Sequence, residues 1–410
     1  MSGGTNMPRM LICLIILVQY IGLSLAAPVV INDATNLWYN APQIQHYVGE
    51  HDRTYFTSVS AEGKASIQYL DNRDGTRSQP VLIKSWPRPD DHSSAALLVI
   101  PKGPQRGKIL LVYSLHTSTL YGKLSKSPES IEDWGEEFVI HQSATYPQLF
   151  FTSDNKIICF FRDSTISQGD ISFAEINQDM DLASLQTRKL ILAPKNKTVY
   201  YIAEQHGNII GIAWDYFDQI TKTHQSVFYA QSDTRRILWK DIHGKFVADL
   251  SKMTPIYTAK EGQVRVWDVA FTAESKPVLG LVEFDVEGAV GEVDCCDKST
   301  YLSRAKIIAN GSVEDLGDIA MRYYSSGLFI DRTHSDLVYL IRRNDELDRY
   351  SRSAQLSCLL SLDAKFLARP RTSEDALDQL FLLSMDRYVS YTEYRTKTLI
   401  LNQNDLGNCH

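Results

Sequence analysis

Seven times along this 410-residue chain, a run of β-forming residues meets a short turn and is followed by another such run. The copies begin at Thr54, Ala95, Thr145, Tyr200, Val266, Ser326 and Leu380, with 41 to 66 residues between successive starts. Two of them read "AALLVIPKGPQRGKILLVYS" and "TYPQLFFTSDNKIICFFRD". Helical periodicity is nearly absent. A repeat of about 40–50 residues built from strand pairs is the mark of a β-propeller blade. Seven blades of roughly fifty residues would use nearly all of the chain. A pair of β-sandwiches competes, but it does not call for seven similar hairpins. The expectation is an all-β, seven-bladed β-propeller forming one domain over residues 27–410, since no linker divides the chain.

Residues 10–26, "MLICLIILVQYIGLSLA", are apolar, follow Arg9 and end in Ser24-Leu25-Ala26. A basic start, an apolar core and a small-residue site read as a signal peptide over residues 1–26. An N-terminal membrane anchor is the alternative, and the run is short for one. No later stretch is long and apolar enough to span a bilayer, so a secreted, extracellular monomer is expected. Loss of Arg9 takes the net charge from −7 to −8. An acidic surface argues against nucleic acid as the main partner. The sequons at Asn196 and Asn310 fit a glycoprotein.

Five cysteines follow residue 26: Cys159, Cys295, Cys296, Cys358 and Cys409. Cys159 lies in "KIICFFRD", an apolar strand-like run, and is read as the free thiol. The other four allow two disulfides in any of three pairings. A structural metal ion on Cys295, Cys296, Cys409 and His410 is the alternative. "DNRDGT" at 71–76 resembles a calcium loop but lacks the remaining ligands, so it reads as a turn.

Antiparallel pairing lets neighbours be worked out. With the second hairpin centred near residue 104, partners sum to 208 and His92 faces His116. In the third, a turn near Asp154 makes partners sum to 308 and sets Tyr146 opposite Arg162. Strands lie about 4.8 Å apart, so each pair is within touching range. Equivalent hairpins of a propeller open on one face, which would bring these four side chains to a common cleft. Singly, each has a plainer reading, as a surface group, a strand cap or a local ion pair. In the fifth hairpin Arg265 falls opposite Glu283 as a cross-strand ion pair, and Trp267 reads as blade core. In the sixth, Tyr324 falls near Arg343; that pair and Tyr201 are candidate substrate contacts. No Gly-x-Ser-x-Gly elbow, P-loop or His-Glu-x-x-His motif occurs.

The segments "DDHSS", "VYSLHTS", "SPESIEDW", "TYPQLF", "FFRDS", "YSSGLFID", "LVYLIRR", "ARPRT" and "RYVSYTEY" run in order from about Thr54 to Tyr394. In them the chain resembles the BNR-repeat-type propellers that include ulvan lyases and rhamnose–glucuronate lyases. The resemblance implies a seven-bladed propeller, an anionic uronate-containing polysaccharide as substrate, and eliminative cleavage. It puts the active-site histidines on His92 and His116, the tyrosine on Tyr146 and the arginine on Arg162. No cofactor is required for such chemistry. Arg162 would hold the uronate carboxylate. His92 or Tyr146 would move the C5 proton, with Arg162 favouring the Tyr146 phenolate. His116 would position the carboxylate or fix the tautomer of His92. The fit weakens after Tyr201. A sialidase-type hydrolase is disfavoured because the Ser-x-Asp-x-Gly-x-Thr-Trp box is absent. A secreted propeller that binds glycans or proteins without chemistry is the rival.

Overall fold

The computed structural model describes residues 28–36, 39–165, 169–177, 185–284, 302–320, 327–364, 366–372 and 379–402. The architecture is all-β, and antiparallel sheets follow one another along the chain. The first holds Ile44–Val48, Asp52–Val59, Lys64–Asp71 and Val81–Ser85. Later sheets open on Lys197–His206, Gln263–Phe271 and Leu328–Ile330. The last pairs Leu367–Thr372, Gln379–Ser390 and Glu393–Asn402, and the N-terminal Val29–Asn32 adds to its outer edge. The opening strands of neighbouring sheets touch one another, which gives the propeller arrangement.

Among the described residues the strands form six hydrogen-bonded sheets, not seven. The reason is one long strand, Phe138–Phe151, whose first half pairs with Ser118–Leu124 and whose second half pairs with Lys156–Asp163. Two four-stranded units are thereby joined into a sheet of seven strands running from Ala96 to Ile191. The repeated hairpins are also not all equivalent. The one from Thr54 and the one from Leu380 are middle strands of their sheets, whereas the five between them include the innermost strand.

Strands buried on both faces explain the near-continuous apolar runs. Ala96–Val99 and Ile109–Tyr113 are buried throughout, and Leu97, Val99, Leu111 and Tyr113 pack with Tyr55 and Ile67 of the preceding sheet. Cys159 is free and buried, as expected. Cys358 is not a free thiol. Cys295, Cys296, Cys409 and His410 lie outside the described residues.

Candidate functional site

The second hairpin keeps its expected register, Leu97 facing Leu111 and Val99 facing Ile109. Both strands stop short of the histidines. His92 sits in a single 3-10 turn, Asp91–Ser93, capped by Asp90, whose side chain accepts from the His92 amide at 3.0 Å. Asn40 ties this turn down by donating to the carbonyls of His92 (2.9 Å) and Ser94 (2.6 Å). His116 lies in the turn beyond Tyr113. The two imidazoles, opposed in register, stack with centroids 4.1 Å apart and planes 7° from parallel.

The third hairpin holds its register up to Phe160, which faces Gln148, and then slips by one, so that Arg162 faces Thr145. Tyr146 is therefore not directly opposite Arg162. It occupies a β-bulge with Pro147, at φ 61°. A bulge re-aims a side chain, and here it turns the phenol toward both Arg162 and His92. The Arg162 guanidinium lies 4.3 Å from the centre of the Tyr146 ring. Tyr146 Oη is 3.2 Å from His92 Nε2, and Arg162 Nη2 is 3.4 Å from His116 Nε2. The four residues thus form one connected cluster.

Its electrostatics are set by burial and by two neighbouring carboxylates. Burial pushes the His92 pKa down, but Asp90 and Asp91, with carboxylate oxygens 2.8 and 2.9 Å from Nδ1, outweigh it and raise the value to about 9. Burial, then the positive charges of His92 and Arg162, lower His116 to about 2, which keeps it neutral. Burial also lifts Tyr146 well above 10, against the pull of Arg162. Arg162 does pull toward the phenolate, as expected, but desolvation outweighs it and the phenol keeps its proton.

Other expected contacts move. Tyr201 is fully buried and is a support behind the site, not a substrate contact: its hydroxyl donates to the Tyr146 carbonyl at 2.6 Å. The adjacent Tyr200, on the opposite face of the strand, is the one that lies against the cluster, 5.9 Å from Tyr146 and 4.9 Å from the Arg162 guanidinium. Arg343 is left on the surface, its side chain 77 % exposed and 3.5 Å from Glu346 across a tight turn. Tyr324 lies outside the described residues. Arg265 faces Val282, not Glu283, because the Gln263–Phe271 strand carries a bulge at Trp267. Glu283 pairs with Lys306 at 2.6 Å instead. Arg265 turns inward, donating to the Tyr39 hydroxyl and lying 3.8 Å from Asp215 and 4.6 Å from the Tyr200 ring centre. Trp267 is buried, as expected of blade core.

The residues that sequence reasoning missed are Asp90, Asp91, Tyr39, Tyr200, Arg265 and Tyr391. The acidic pair next to His92, and Tyr391 within "RYVSYTEY", were readable signals; Tyr39, Tyr200 and Arg265 are brought in from distant parts of the chain and left none.

Asp90, His92 and His116 place donor atoms within 4.8 Å of one another, the spacing of a metal-binding group. Parallel stacked rings send their lone pairs along parallel planes and not to one point, and His92 Nδ1 already faces two carboxylates. The donors do not fit an ion as they stand.

A family model described as "BNR repeat-containing family member" matches residues 46–306. Among solved structures, a PL25 ulvan lyase superposes with a TM-score of 0.68 at 13% identity, over 92% of this chain and 95% of that one. Ulvan lyase of the same family, bound to -[GlcA(1-4)Rha3S]-, gives 0.67 at 14% identity over the same shares. The polysaccharide lyase Uly1 gives 0.57 at 13% identity, over 93% of this chain and 100% of that one. Comparison with curated proteins finds no match.

Proposed function

This chain belongs to the BNR repeat-containing family, and from that premise we propose that it is a polysaccharide lyase. Its substrate is an anionic polysaccharide with a 4-linked glucuronate beside rhamnose or a similar sugar, cut by β-elimination. The observation that carries the reading is the contact of His92, Tyr146, His116 and Arg162 in one cluster, buried except at the half-buried His116. The solved lyases of the same fold, one of them bound to a glucuronate–rhamnose oligosaccharide, support it.

Arg162 binds the uronate carboxylate through two hydrogen bonds and takes up charge as C5 loses its proton. Neutral His116, 3.4 Å from Arg162, adds a hydrogen bond without adding charge. His92, with Nδ1 fixed by Asp90 and Asp91, presents Nε2 as the base for the C5 proton. Its conjugate acid, at about 9, makes it a stronger base than an ordinary imidazole. The C5 electron pair becomes the C4–C5 double bond, and the C4–O bond breaks. Tyr146, which holds its proton, gives it to the departing oxygen. The 3.2 Å contact then lets protonated His92 restore the Tyr146 hydroxyl. No water is consumed. Base and acid side by side serve a syn elimination, which suits glucuronate, whose C5 hydrogen and O4 share one face of the ring.

We also read the seven-stranded sheet as two blades sharing one strand, which makes seven blades in a single domain over 27–410. The protein is read as a secreted monomer after loss of residues 1–26. A panel of ulvan, gum arabic, gellan and glucuronan, followed by product mass and ultraviolet absorbance, tests the proposal. A new unsaturated uronate end with one of them is expected. Binding without a double bond would make the protein a glycan-binding platform instead.

A further inference from the structure

In the cluster as it stands, little room remains for a sugar. His92 is 1% exposed and Tyr146 is inaccessible. One wall comes from a part of the chain that the proposed chemistry does not use. Tyr391 stands at the turn between Gln379–Ser390 and Glu393–Asn402, strands of the sheet that closes the ring. Its ring centre is 5.2 Å from that of His92 and 5.4 Å from that of His116, with planes at 82° and 84°. Near-equal distances to two parallel rings put Tyr391 beside the stack, closing one edge of both imidazoles. Its backbone is anchored there: the Tyr391 carbonyl accepts from the Asp91 amide at 2.9 Å. Tyr391 itself is partly exposed.

We propose that Tyr391 is the specificity-determining residue of this site, a movable aromatic wall that decides how much of a polymer reaches the histidines. The inference rests on the lyase reading for its substrate, a pyranose chain, but not for its geometry. Around the stack, the carboxylates hold His92 Nδ1, Tyr146 lies at His92 Nε2 and Arg162 at His116 Nε2, and Tyr391 is the neighbour that both rings share. A sugar that approaches the two imidazoles from this side meets Tyr391 before it meets either ring. When displaced, the phenol offers its face to the apolar side of a pyranose.

Two measurements test this on the full chain. The first is modification of His116 by diethyl pyrocarbonate, read by peptide mass. His116 is neutral and therefore nucleophilic, and its rate is expected to rise several-fold in Tyr391→Ala but not in Tyr391→Phe. The second is kcat/KM on long polymer against a short unsaturated oligosaccharide. Tyr391→Ala should shift that ratio by roughly tenfold toward the polymer, with Tyr391→Phe close to the parent. An unchanged His116 rate in folded Tyr391→Ala would overturn the wall, whatever the enzyme activity. If no polymer is turned over by the parent protein, the lyase reading fails while the His116 rate still decides the wall. An increased His116 rate with an unchanged length preference would overturn the specificity role.

Discussion

Tyr146 is held in a left-handed backbone conformation that side chains other than glycine rarely adopt, a strain of the kind found at functional sites. The buried Tyr201 hydroxyl on its carbonyl helps to hold it there. Tyr201→Phe leaves that carbonyl unsatisfied and should cost about 1–3 kcal/mol in chemical denaturation. On the proposed reaction it should lower kcat more than it raises KM, which separates positioning from binding. His92→Ala and Arg162→Ala should each reduce turnover by about 10²–10⁴-fold in proteins that remain folded by circular dichroism. The pH profile follows from the raised His92 value. As the base, His92 must be neutral, so kcat/KM should climb as pH rises toward about 9. A rate that falls through that range would make His92 the acid. Stability runs the other way. The folded value of about 9 lies above the ordinary 6.5, so the carboxylate contacts with the imidazolium stabilise fully below pH 6.5 and fade as pH rises through 9. Denaturation midpoints across that window should show a decline that Asp90→Asn weakens.

The strand elements were largely legible, because alternating or continuous apolar runs around Pro/Gly turns dictate hairpins whatever the tertiary context. The Leu97–Leu111 register came out as the turn position implied. What failed were the bulges. A single extra residue at Tyr146-Pro147 and another at Trp267 shift every later pair by one; Pro147, with no N–H to give to a ladder, was a readable mark of the first, and the second carries none. Tyr200 and not Tyr201 lies against the Arg162 guanidinium, since neighbours on a strand point to opposite faces. Between sheets, packing depends on missing side chains. A Cβ on Gly280 would lie 2.2 Å from Leu328 Cδ2 of the next sheet and 3.3 Å from Asp268 Cβ. Gly280→Ala should destabilise by about 1–3 kcal/mol, read as a lower thermal midpoint, by forcing those strands apart.

On the scale of the whole molecule, the ring is closed by pairing ends distant in sequence: Val29–Asn32 adds to Glu393–Asn402 in the last sheet. A chain beginning after residue 34 should lose stability and self-associate at concentration, by light scattering, because it bares a long strand edge. The same closure carries Tyr391 to the histidines and Arg369 to Asp91, a buried contact of 2.8 Å. The sequence by itself determined the all-β repeat, most of the hairpins and the four residues of the cluster, because turn spacing and apolar periodicity are local properties. Only the tertiary structure decided the supporting carboxylates' orientation, the merged sheet, the inward turn of Arg265 and the wall at Tyr391. Those depend on bulges and on contacts between sheets, where the free energy of burial is settled by residues hundreds of positions apart and not by any neighbour in the chain.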